Sequence, residues 1–128
     1  MRILFLGDVF GRSGRDAIAK YLPTLKQKYE PDFTIVNGEN AAHGFGIMPD
    51  MAKDFFHLGI DVITGGNHSF DKNEIITLMS QSDKVLRPLN YPKNVPGKGG
   101  SNSKQSAAPK PTTTQAAGTN TRTPFPKG

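Results

Sequence analysis

The chain has no cysteine, no acidic residue in its last 32 positions, and no apolar run approaching the roughly 18 residues that a membrane span needs. Each absence excludes something. Without cysteine there is neither a disulfide framework nor a thiolate zinc site, and the composition agrees with a reducing cytosol. Without a long apolar run no bilayer-crossing helix is expected. The short run near Met1 carries one arginine and gives way at once to Gly7-Asp8, too soon for the core of a secretion signal. A soluble, cytoplasmic body is the expectation.

The 128 residues that remain, with a formal charge of +5, allow one small domain plus whatever is left unfolded. Residues 1–96 carry 11 Lys/Arg against 11 Asp/Glu, whereas residues 97–128 carry 5 Lys/Arg and no acid. The whole net charge therefore lies in the tail. Of its apolar residues the tail has only four alanines and Phe125, too little to offset the entropy of ordering it. The reading is residues 1–96 as a neutral globular body and 97–128 as a basic low-complexity segment without secondary structure. Nucleic acid is expected only as a weak, nonspecific contact of that tail, abolished by salt.

Within the body, Ile3-Leu4-Phe5-Leu6, Phe33-Thr34-Ile35-Val36 and Ile60 to Thr64 are apolar runs bounded by turn residues, as in strands buried on both faces of a parallel sheet. Between the first two, Ile18, Tyr21, Leu22, Leu25 and Tyr29 follow helical spacing, after a Gly11-Arg12-Ser13-Gly14 turn. Pro23 should kink or split that helix near Leu22. Pro49-Asp50 opens a second helix, which Gly59 should end in a left-handed cap. A third, short helix starts at Glu74, and Val85-Leu86 begins a fourth strand before Pro88, Pro92 and Pro96. Alternation at about 25 to 30 residues per unit makes the fold class α/β with parallel βαβ units.

Each of the first three strands ends in a polar cluster: Asp8, then Glu39-Asn40, then Asn67-His68. In an open parallel sheet these ends share one edge, the edge where α/β proteins bind ligands. Two carboxylates, two amides and an imidazole form a hard donor set suited to a divalent metal such as Mn, Fe, Zn or Mg. Taken singly, each has an ordinary alternative: Asp8 as an Asx turn, Glu39 as a solvated loop acid, Gly65-Gly66 as a plain turn ahead of Asn67-His68. Their convergence favours a paired metal site. His43 lies in the glycine loop after Asn40 and within reach of a substrate, whereas His57 reads as a helix residue. Gly11 to Gly14 is a candidate anion nest with Arg12 or Arg15, but it is neither a Walker loop nor a dinucleotide fingerprint.

Four blocks extend this pattern: Gly7-Asp8-Val9-Phe10-Gly11 with Gly14-Arg15; Asn37-Gly38-Glu39-Asn40-Ala41-Ala42-His43-Gly44; Gly66-Asn67-His68 with Asp71-Lys72; and Arg87-Pro88 with Asn90-Tyr91-Pro92. Together, over about residues 1–99, they resemble the N-terminal part of the YmdB-like calcineurin-type metallophosphoesterases. The resemblance implies an incomplete metallophosphoesterase-like sheet and a two-metal phosphodiesterase acting on 2′,3′-cyclic nucleotides or similar phosphodiesters, with a bridging hydroxide as nucleophile. It implies Asp8 on the first of two divalent ions, iron, manganese or similar, with Glu39 bridging both and Asn67 on the second. Asn40 would stand at the second metal and the phosphate, and His68 would protonate the leaving oxygen or stabilise the transition state. The family's second half supplies further histidines, and here none follows His68. The expectation is therefore a truncated member with poor metal affinity and doubtful turnover alone, completed by self-association or by a complementing chain. The alternative is a non-catalytic remnant or binding module that associates with another chain through its exposed sheet edge.

Overall fold

A computed structural model describes residues 1–104 and 109–114, with side chains through Ser101. The strands β1 (Ile3–Leu6), β2 (Phe33–Asn37), β3 (Val62–Thr64) and β4 (Val85–Leu86) alternate with the helices α1 (Gly11–Tyr29), α2 (Pro49–His57) and α3 (Ile75–Gln81). The pairings among these four strands are all parallel, and their order in the sheet, β1-β2-β3-β4, is the order in the sequence. The α/β reading holds. Among the described residues no helix is long and apolar enough to cross a membrane.

Side chains alternate across the strands and so divide the apolar residues in two. Leu4, Leu6, Val36, Ile63 and Val85 meet Ile18 and Leu22 of α1, Ala52 and Phe55 of α2, and Ile75 and Met79 of α3 in one buried cluster. Phe33, Val62 and Leu86, with Ile35 against them, form a smaller second cluster to which no helix contributes. The helices thus stand on one face of the sheet.

Three local expectations change. α1 runs unbroken for 19 residues with Pro23 inside it, so the proline does not split the helix. Fully buried Leu22 anchors the turn, while Pro23 faces solvent and its missing N–H costs one bond on the outer side. Second, Gly11 to Gly14 is the first turn of α1, and not a loop preceding it. Third, β3 begins at Val62, two residues late, because Asp61 donates its N–H to the Thr34 carbonyl at 2.9 Å and accepts the Thr34 N–H on Oδ2 at 2.8 Å. Gly59 does close α2 with φ 91°.

The low-complexity segment also differs from its reading. Two further strands, β5 (Gly100–Lys104) and β6 (Pro109–Thr114), pair antiparallel, with Ser101 opposite Thr113. Extended backbone suits the threonines of β6. Strands polar on both faces have no apolar alternation, so periodicity could not reveal them. The expectation of disorder for residues 105–108 and 115–128 lies outside the described residues.

Candidate active site at the carboxyl edge

After β1 the chain passes over the end of β2, where the Val9 N–H donates to the Asn37 carbonyl at 3.1 Å. This crossing holds Asp8 at φ 40°, a left-handed conformation costing a non-glycine residue about 1 kcal/mol or more. Its exposed side chain is not loose. Asn40 Nδ2 donates to Asp8 Oδ1 at 2.6 Å, joining residues 32 apart in sequence.

Glu39 is held from three sides. Its N–H donates to Asn37 Oδ1 at 3.3 Å, Asn37 Nδ2 donates to its Oε1 at 3.4 Å, and the His68 N–H makes a long contact of 3.5 Å to its Oε2. Its carboxylate fills the space beside the Gly66 Cα, where a Cβ would lie 2.0 Å from Oε2. A side chain at this position would therefore displace the Glu39 carboxylate. Gly65 is constrained differently, since a Cβ there would lie 2.0 Å from Ser69 Oγ and 2.8 Å from the Leu86 carbonyl oxygen. Ser69 Oγ in turn accepts the Gly66 N–H and donates to the Gly66 carbonyl, closing the Asn67–Phe70 turn.

Within that turn Asn67 is exposed between Gly66 and His68, which both touch Glu39. His68 Nδ1 lies 2.6 Å from Asp71 Oδ2, leaving its Nε2 as the ring nitrogen available to a ligand. The Phe45 ring meets the imidazole edge-on at 5.7 Å between centroids. Tyr91 Oη donates to the Gly66 carbonyl at 3.4 Å and its ring stacks on Phe70, tying the segment after β4 to the turn.

The structure thus brings Asp8 to Asn40 and Glu39 to His68, and the two pairs are linked through the adjacent residues 39 and 40. Among the described residues no group of three or more His, Cys, Asp or Glu side chains is arranged to hold a metal ion. His43 is exposed on the same edge with φ 56°. His57 closes α2 next to the start of β3, at the other end of the sheet. The nest reading of Gly11 to Gly14 fails in part: the Gly11 N–H is taken by the Asn40 carbonyl at 3.0 Å, and Arg12 Nε pairs with Asp16 at 3.7 Å. Residue chemistry alone gave no role to Asn37 or Asp71, although both lie inside the quoted motifs. The signal was their spacing, two residues before the glutamate and three after the histidine.

Carboxylates, amides and a histidine thus converge from three successive strand ends on one edge of an α/β sheet. The sequence profile described as YmdB-like protein matches residues 4–125, and the chain belongs to that family. The match runs past residue 99, where the recognisable motif blocks stop. A Bacillus subtilis (strain 168) protein named 2′,3′-cyclic-nucleotide 2′-phosphodiesterase is 50% identical over 99 residues, covering 77% of this chain and 38% of that protein. Among solved structures, one described as a novel phosphatase from Mycoplasma pneumoniae superposes with a TM-score of 0.81 at 33% identity, over 98% of this chain and 46% of that one. Another, described as a hypothetical protein from Thermus thermophilus, gives 0.75 at 40% identity over 83% and 41%. The chain therefore spans less than half the length of these relatives.

Proposed function

We propose that the carboxyl edge binds and hydrolyses phosphodiesters, 2′,3′-cyclic nucleotides among them, with the help of divalent metal and of ligands from outside the described residues. The observation that carries this reading is the joining of three βα loops through Asn40–Asp8 and Glu39–His68 contacts in a member of this family. The residues present fit part of a metal shell. Asp8 and Glu39 offer hard carboxylate oxygens, Asn40 and Asn67 offer amide oxygens, and the Glu39 carboxylate already lies in a cradle that a Gly66 side chain would fill. Asp8 would hold one ion, Glu39 would bridge to a second, and Asn67 with Asn40 would serve that second position. Such ions, iron, manganese or similar, supply acidification of a water and neutralisation of phosphate charge.

The chain's own residues do the rest. Asn40 positions the Asp8 carboxylate through its 2.6 Å bond and presents its amide beside the phosphate. Asp71 occupies His68 Nδ1, so the proton for the leaving oxygen comes from Nε2. Completion by a second copy or by a complementing chain supplies the remaining donors in this reading, and the cysteine-free composition supports a cytoplasmic setting.

The test is metal content together with hydrolysis of bis(p-nitrophenyl) phosphate by the 128-residue chain with added Mn²⁺, against Asp8→Ala. Bound metal and turnover, both lost in the variant, are the expected results. No metal and no turnover would favour the second reading, a module that associates with another chain. In an active sample His68→Ala should slow turnover more than it weakens metal binding, whereas Asp8→Ala and Glu39→Ala should lose metal first. Equal metal loss from all three would overturn this division of roles.

A further inference from the structure

Two large apolar side chains stand in solvent beside this polar cluster: Phe10 is 60% exposed and Phe45 57% exposed. A scattered exposed phenylalanine needs no explanation, but two whose backbones meet at this edge, one ring over Gly44 and the other against His68, do. The Phe10 ring packs on the bare Cα of Gly44, where a Cβ would lie 2.7 Å from the ring, and Phe45 is the next residue in the chain. A single acceptor fixes both. The Asn40 carbonyl takes the Gly11 N–H at 3.0 Å and the Gly44 N–H at 2.9 Å, while the Asn40 side chain holds Asp8. The positions of the two rings are thereby tied to those of the carboxylate and, through the Phe45–His68 contact, to that of the imidazole.

We infer that Phe10 and Phe45 form a stacking platform for the base of a nucleotide whose phosphate lies at the Asp8–Asn40–His68 edge, which would make them residues that select nucleotides over other phosphodiesters. The inference rests on the phosphodiesterase reading above. Neither ring contributes to either buried cluster, so folding does not account for them. An aromatic face accepts any base with little regard to sequence, since every base presents a π-face. The geometry is consistent with a single ligand. The base of a 2′- or 3′-nucleotide is one sugar ring from its phosphorus, and Phe45 is one ring contact from His68.

The experiment is calorimetric titration of the 128-residue chain in Mn²⁺ with adenosine 3′-monophosphate and, separately, with inorganic phosphate, for the parent, Phe45→Ala, Phe45→Leu and Phe10→Ala. The parent should bind the nucleotide more tightly than phosphate. In Phe45→Ala the ratio of the two affinities should fall roughly tenfold, the size of one base–aromatic contact, with a smaller fall in Phe10→Ala. Phe45→Leu keeps apolar bulk without a π-face and should also lose selectivity. A parent that binds phosphate but prefers no nucleotide overturns the platform and leaves the phosphodiesterase reading standing. Retention of the parent ratio by Phe45→Ala or by Phe45→Leu overturns stacking in the same way. A parent that binds neither ligand overturns both.

Discussion

At the amino end of the strands, Asp32 accepts the Arg2 N–H at 2.7 Å and Asp61 accepts the Thr34 N–H at 2.8 Å, so each acid completes the backbone of a neighbouring strand. At the carboxyl end, Asp8 accepts from the side chain of Asn40, and Glu39 from the side chain of Asn37 with a longer contact to the His68 amide. The backbone differs likewise. Asp8 and His43, two of the three non-glycine residues with positive φ among the described residues, lie at the carboxyl end. One end closes the fold, and the other pairs its acids with amide groups beside a left-handed backbone at Asp8. Backbone strain of this kind clusters at functional sites.

Adjacent glycines offer the sharpest way to break this comparison. Gly65→Ala meets the Leu86 backbone and Ser69, neither of which can move freely, and should cost about 2–3 kcal/mol of stability, read as a lower urea midpoint. Asp61→Ala leaves the buried start of β2 without its acceptor and should cost about 1–2 kcal/mol by the same measurement. Asp8→Gly should have the opposite sign. Relief of the φ 40° backbone should raise the midpoint by about 0.5–1 kcal/mol while Mn²⁺ binding, followed by calorimetry, is lost. The smallest stability effect, under about 0.5 kcal/mol, should come from Gly66→Ala, because the new methyl meets only the movable end of Glu39. That displacement should nevertheless lower Mn²⁺ affinity. Destabilisation by Asp8→Gly, or unchanged Mn²⁺ binding in Gly66→Ala, would erase the distinction between the two ends.

Much of this was legible before any coordinates. Strands β1 and β2 announce themselves because buried parallel strands read as continuous apolar runs, and Gly59 marks the end of α2 because a left-handed cap favours glycine. Asp8, Glu39 and Asn40 could be placed at a common edge because a parallel sheet aligns its strand ends. The contacts among them were not legible, since nothing in the spacing says that Asn40 turns its amide to Asp8 or that Glu39 rests on Gly66. The continuity of α1 through Pro23 was missed because burial of Leu22 outweighs a local propensity. β5 and β6 were missed because a strand with two polar faces leaves no periodic trace.

A sheet whose spatial order repeats its sequence order has a consequence for how the molecule comes into being. Each strand lies against the one made just before it, with paired residues 22 to 30 apart, so every pairing in the parallel sheet can form once its second strand has been synthesised. This order keeps each loop closure as short as a parallel crossover permits. Asp8, Glu39, Asn40, Asn67 and His68 all lie ahead of the basic segment that carries the net charge. The sheet order thus lets these candidate residues come together in the direction in which the chain is made, before its basic segment exists.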